Sequence, residues 1–266
     1  MVRRLIGPIA VLAAALASPQ VWAQDDSANQ AAIAQASARG RLIYAYDQAA
    51  WRGTDDLLAR DQAITQKLGG WIVDGPAERP TLVFFDRDPE HPHALYVAEF
   101  SGGKLMSGRL LGDTDDRTIS PSRLAMIHAR SVALAALAKA PVQRCSDKAL
   151  NSVVLPPDRV GAPTSVYALE PQPDMRTFPI GGSYRLDVDA DDRVSPPRPF
   201  AKTCFALTSP ADQKPQMFVA THLLDPVPTE IHVFTSLAAH LPVMVATTDK
   251  AMWLVNGDRI TRVKDR

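Results

Sequence analysis

The segment most informative for chemistry is Phe218-Val-Ala-Thr-His222-Leu-Leu-Asp-Pro-Val-Pro-Thr229-Glu-Ile-His232. Its apolar start reads as a strand that delivers His222 at its end. A short proline-bounded loop follows, and Thr229 after Pro228 reads as the cap of a helix whose first turn presents His232. Two imidazoles from a strand end and a helix start can converge on one point. Neutral imidazole is the commonest protein ligand for zinc and related metals. A zinc site normally takes three protein ligands, and only His222 and His232 are evident. The competing reading is local: the two histidines hydrogen-bond to stabilise a strand-to-helix corner.

This order of elements resembles the JAB/MPN metalloprotease-like domains. There a strand ends in His-x-His, a spacer of seven residues follows, and Ser-x-x-Asp opens a helix, with an upstream Glu as acid/base. The strand-like runs Val243-Met-Val-Ala-Thr and Met252-Trp-Leu-Val downstream match the strand pair expected after that helix. The resemblance covers at most Ser165 to Val263. It implies a zinc-dependent hydrolase with His222 and His232 as ligands and Glu170 as catalytic group. This chain departs from the pattern in four places: Ala220 stands at the first His, the spacer is six residues, Thr229 replaces Ser and His232 replaces Asp.

Other candidates are weaker. Asp187-Val-Asp189-Ala-Asp191-Asp192 opens like a calcium loop, but positions 6 and 12 hold Asp192 and Arg198 rather than Gly and Glu. A hairpin turn from Asp189 to Asp192 accounts for it better. His91 and His93 lie in a proline-bounded loop, and His128 sits in mid-helix without an acidic partner at helical spacing. The chain has no Gly-x-Ser-x-Gly elbow, no Gly-x-x-x-x-Gly-Lys phosphate loop and no His-Glu-x-x-His motif.

The elements that position these residues predict an α+β fold with mixed and antiparallel sheets and a few helices, its C-terminal part JAB/MPN-like. Residues 41–60 read as a helix interrupted at Gly53. Trp71-Ile-Val, Thr81-Leu-Val-Phe-Phe, and the two runs flanking Ser101-Gly102-Gly103 read as strands, the last pair as a hairpin. Ser120 as cap and Pro121 at the first position open a helix to about Lys139. Residues 151–155, 165–169, 183–188, 200–207 and 217–222 read as strands. A helix from Thr229 to His240 follows, then three strands, with Asn256-Gly257 as the last hairpin turn. The expected divisions are a signal peptide at 1–23, a flexible leader at 24–40, an N-terminal α+β part at 41–142 and a β-rich C-terminal part at 143–266.

The chain start supplies the signal expectation. Arg3 and Arg4 precede an apolar run from Leu5 to Ala17, and Val21-Trp22-Ala23 resembles a cleavage site. Removing Arg3 and Arg4 from the 29 basic residues leaves 27 against 29 acidic ones, a balance that gives no long-range pull toward nucleic acid or anionic membrane. No later apolar run is long enough to span a bilayer. Cys145 and Cys204 are the two cysteines, and in an exported chain they read as a disulfide closing a loop of about 60 residues, worth about 4 kcal/mol. The expected location is periplasmic or secreted. The leading functional expectation is a non-catalytic protein that binds an unidentified ligand or protein partner, without nucleic acid and without cofactor. The alternative is the zinc hydrolase.

Overall fold

The computed structural model describes residues 19–213 and 215–264, with side chains from Ser27 onward. The expected signal peptide lies mostly outside the described residues, and its last five residues, 19–23, fall within the first helix.

The fold is α+β. A 42-residue helix, α1 (Pro19–Arg60), leads into four strands, β1 (Leu68–Asp74), β2 (Thr81–Asp86), β3 (Ala94–Ser101) and β4 (Lys104–Leu110), which form an antiparallel meander. The β3–β4 turn works because both central residues are glycines: Gly102 and Gly103 sit at φ 53° and 73°, the left-handed pair that a two-residue hairpin demands. Helix α2 (Pro121–Lys139) starts as its sequence predicts, with Pro121 first and the Ser120 hydroxyl accepting from the Arg123 amide. Its buried stripe of Met126, Ala129, Ala133 and Leu137 follows helical spacing.

That stripe covers one face of a second sheet, ordered β5 (Asn151–Leu155), β6 (Thr164–Leu169), β8 (Tyr184–Val188), β9 (Arg198–Pro199). Val154, Val166 and Ala168 face α2, while the alternate residues Val153, Leu155, Tyr167 and Leu169 join the core built on α1. Because this sheet is covered on both faces, 152–155 and 165–169 are continuous buried runs rather than alternating ones. Between β6 and β8 lies β7 (Thr177–Pro179), paired with β10 (Ala206–Thr208) in a small ribbon.

The last sheet holds β11 (Phe218–Thr221), β12 (Val243–Ala246), β13 (Met252–Asn256) and β14 (Arg259–Arg262). Its first two strands are parallel, joined through α3 (Glu230–Ala239), and the rest are antiparallel. The α1-based core draws Ile43 and Tyr46 from α1, Leu82 and Phe84 from β2, and Ile231, Val233, Val245 and Trp253 from the C-terminal elements. Both expected parts, 41–142 and 143–266, thus contribute to one cluster.

Three expectations need correction. The segment 24–40, read as a flexible leader, is helical; Ala36 and Gly40 are buried because α1 packs closely on α3. A side chain on Gly40 would place its Cβ 2.5 Å from Val233. Gly53 does not interrupt α1 either: its bare Cα lets Leu82 approach where a Cβ would stand. Finally, 200–207 is not one strand, since only Arg198–Pro199 and Ala206–Thr208 are extended, and Cys204 between them bonds to Cys145 with Cα atoms 5.5 Å apart. Among the described residues no helix is long and apolar enough to cross a membrane.

Candidate functional site

The structure brings His222 and His232 together. β11 carries the chain to His222, whose amide donates to the Ala246 carbonyl of β12 at 2.8 Å. Its ring meets that of His232 edge-on, centroids 4.7 Å apart, and both are almost fully buried. Each imidazole already has a partner. His222 Nε2 lies 2.7 Å from the Asp225 carboxylate. His232 is the third residue of α3, and its Nδ1 accepts the Thr229 amide N–H at 3.1 Å, closing a capping box in which imidazole takes the place of Glu or Gln. That acceptor role puts the ring proton of neutral His232 on Nε2. Complete burial, with His222 nearby, pushes the His232 pKa down to about 3, so it stays neutral.

A row of charges lies beside this corner. Arg185 of β8 and Arg198 of β9 stand directly opposite each other, a pairing that would repel if bare. Each guanidinium is neutralised from the other side. Arg198 grips both Asp225 oxygens at 2.8 Å, and Arg185 donates to Glu230 at 2.9 Å. The Tyr167 hydroxyl donates to the same Glu230 oxygen at 3.0 Å, and Ser165 donates to Asp187 at 2.6 Å. Burial would raise the Asp225 carboxyl, but the His222 hydrogen bond and the Arg198 charge overcome it and hold it below the ordinary range. The corner is a charge-compensated brace between the β5–β9 sheet and the start of α3.

Zinc does not fit this donor set. One nitrogen of each histidine is committed to Asp225 or to the helix cap, and Ala220 offers no ligand. Glu170 lines a separate cleft whose walls include neither histidine. Among the described residues no three His, Cys, Asp or Glu side chains converge as metal ligands. The Asp187–Arg193 stretch is a hairpin turn closed by Asp192 N–H to Asp189 O at 3.2 Å, with Asp192 at φ 59°. His128 pairs with exposed Asp192, and His93 with Asp86.

The cleft that holds Glu170 is the more open feature. It has a volume of about 440 Å³ and lies between α1, the ends of β1, β5 and β6, and α3. Asp47, Trp51 and Thr54 line it from α1 at positions i, i+4 and i+7, one helical face. Trp71 comes from β1, and Phe234 and Thr235 from α3. Three lining residues are acidic, Asp47, Glu170 and Asp174, and none is Lys, Arg or His. Burial raises the Asp47 carboxyl to about 6, with the Gln48 side chain acting the other way. Glu170 is 8% exposed and its Oε2 is buried without a hydrogen-bond partner; Thr235 Oγ1 is likewise buried and unpartnered.

The Cys145–Cys204 disulfide supports this wall. Gly182, at φ 80°, has no Cβ, and one there would stand 2.7 Å from Cys145 Sγ and 2.8 Å from Glu170 Oε2. Of the cleft residues, Glu170 alone was singled out from the sequence, through the family resemblance and for another role. The i, i+4, i+7 set on α1 was the signal open to view, but it acquires meaning only when Glu170 and Thr235 are brought opposite. No family model, no curated protein and no solved structure matches this chain.

Proposed function

We propose that this chain is a non-catalytic binding protein whose ligand is a small molecule seated in the cleft between α1 and the β5–β6 edge. The observation that carries this reading is the cleft itself, about 440 Å³ with mainly apolar wall surface, whose lining includes Glu170 and Thr235, each with a buried, unpartnered side-chain oxygen. Buried polar atoms are normally satisfied, and an unsatisfied one costs about 1–3 kcal/mol unless a ligand or water completes it. Apolar walls with a few convergent polar groups are the general form of a small-molecule site. The zinc hydrolase is the weaker reading, because the corner offers two histidines and Ala220 stands where a third ligand would be.

Ligand-observed NMR with a fragment set tests the site. Fragments should bind the native protein and be lost in Ala50→Trp, which fills the cleft from α1. Absence of any binding, or hits unchanged in Ala50→Trp, would reject the cleft. We propose further that the protein acts in the periplasm or outside the cell, a reading supported by the Cys145–Cys204 disulfide and the Arg3–Ala23 pattern. Intact mass of the chain from the extracytoplasmic fraction should begin at Gln24; a chain retaining Met1 there would refute it.

A further inference from the structure

Asp47 and Glu170 of the cleft differ from most of the other buried or half-buried acids in one respect. Asp74 is clamped by Arg123, Asp187 and Glu230 by Arg185, and Asp225 by Arg198 and His222. Asp47 and Glu170 carry no ion pair among the described residues, although Glu170 is more than nine-tenths buried. An unpaired buried carboxylate is costly, and proteins compensate it with a counter-charge or by holding its proton. Here the counter-charge is not supplied by the walls, which contain no cationic side chain. Arg130 approaches from behind the wall, 5.1 Å from the Trp71 ring centroid, and its Nε donates to Ser152 at 2.7 Å.

The walls also carry indole and phenyl rings. Trp51, half-exposed, and Phe234 from α3 offer aromatic surface on which no cation is stacked among the described residues. Aromatic faces attract cations held within about 6 Å, most strongly where water is excluded. A metal ion does not suit these carboxyls, since no three acidic, His or Cys side chains converge anywhere among the described residues. A volume of about 440 Å³ holds a small organic molecule. We infer that the cleft is selective for an organic cation: an ammonium group set against Asp47 and Glu170, carried on an aromatic or apolar body that lies against Trp51 and Phe234. The inference rests on the cleft being the ligand site.

Three probes of one shape isolate the charge: phenethylamine, 2-phenylethanol and 3-phenylpropanoate, titrated calorimetrically at pH 7.5. The amine should bind at least tenfold more tightly than the alcohol, and the carboxylate should not bind. Asp47→Asn and Glu170→Gln, both close in shape to the native side chains, should each reduce the amine's preference severalfold and leave the alcohol unchanged. Trp51→Ala should weaken amine and alcohol alike. Equal affinity for amine and alcohol would overturn the cation inference while leaving the cleft as the site. Carboxylate binding, or failure of the amine to bind, would also overturn it, and the fragment set then decides the cleft independently. Amine binding that survives both Trp51→Ala and Asp47→Asn would overturn both readings. The comparison of the three probes on the native protein needs no variant to fold.

Discussion

Replacing Asp47 by Asn should stabilise this protein at neutral pH. In the unfolded chain the carboxyl titrates near 3.8, whereas burial holds it at about 6 in the fold. Between those values the folded state binds more protons than the unfolded one, so this group's contribution to stability falls as pH rises through the window. Above pH 6 it is ionised in both states. The full cost of keeping it in the fold is then about 3 kcal/mol, at about 1.4 kcal/mol per pH unit. Water entering the cleft mouth screens part of that, so a gain of about 1–3 kcal/mol is expected for Asp47→Asn at pH 7.5. For a chain of this size that raises the melting temperature by about 2–10 °C. At pH 3.5, where the native carboxyl is also neutral, the variant and the native protein should coincide. Urea denaturation of both proteins at the two pH values measures the difference directly. A neutral or destabilising effect at pH 7.5, or equal gains at both pH values, would refute an unpaired, half-buried Asp47. Saturating phenethylamine should shrink the gap at pH 7.5, because the bound ammonium stabilises the ionised native carboxylate and has only Glu170 left to pair with in the variant.

His232 works in the opposite direction. Its pKa is about 3 in the fold and near 6.5 when unfolded, so the unfolded state binds the extra proton and stability is lost as pH falls below 6.5. His232→Gln keeps a capping acceptor and does not titrate, so between pH 7 and pH 5 it should lose about 2 kcal/mol less than the native protein in paired denaturation curves. Reduction, or the double change Cys145→Ala and Cys204→Ala, should cost about 4 kcal/mol in the chain-entropy account of a closed loop of this length, read from the shift in the urea midpoint. Excess zinc should leave the melting temperature unchanged. One tightly held zinc per chain by elemental analysis, absent from His222→Ala and His232→Ala, would instead restore the hydrolase.

Much of the fold was legible where a local signal is strong. The Ser120-Pro121 start of α2, the Gly102-Gly103 and Asn256-Gly257 turns and the Thr229 cap of α3 all rest on backbone rules acting within a few residues. Gly53 misled because helix propensity weighs against glycine, while tertiary packing against Leu82 decides the matter. Strand β9 went unread and β10 was merged into a longer run because two or three residues carry no periodicity. At the candidate sites, spacing located the His222–His232 corner correctly. It could not reveal that one imidazole answers a carboxylate and the other a helix cap, since Asp225 lay unremarked between them. The cleft was hidden for a different reason: Asp47, Glu170 and Thr235 come from distant parts of the chain, and nothing local marks a carboxylate as lacking a partner.

The contact between Gly40 and Val233 bears on the order in which the molecule can be assembled. Helix α1 has its closest helical neighbour far along the sequence, in α3, which among the described residues is followed by three short strands. Until α3 has been made, the face of α1 centred on Gly40 has nothing to rest on, and an isolated helix gains little stability from propensity alone. Contacts of such long sequence separation close late and slow folding. A nascent chain ending before residue 230 should therefore remain protease-sensitive along the start of α1, residues 27–42, while the part of α1 beyond it already rests on β1–β4; protection of the start should appear only once α3 and β12 have been added.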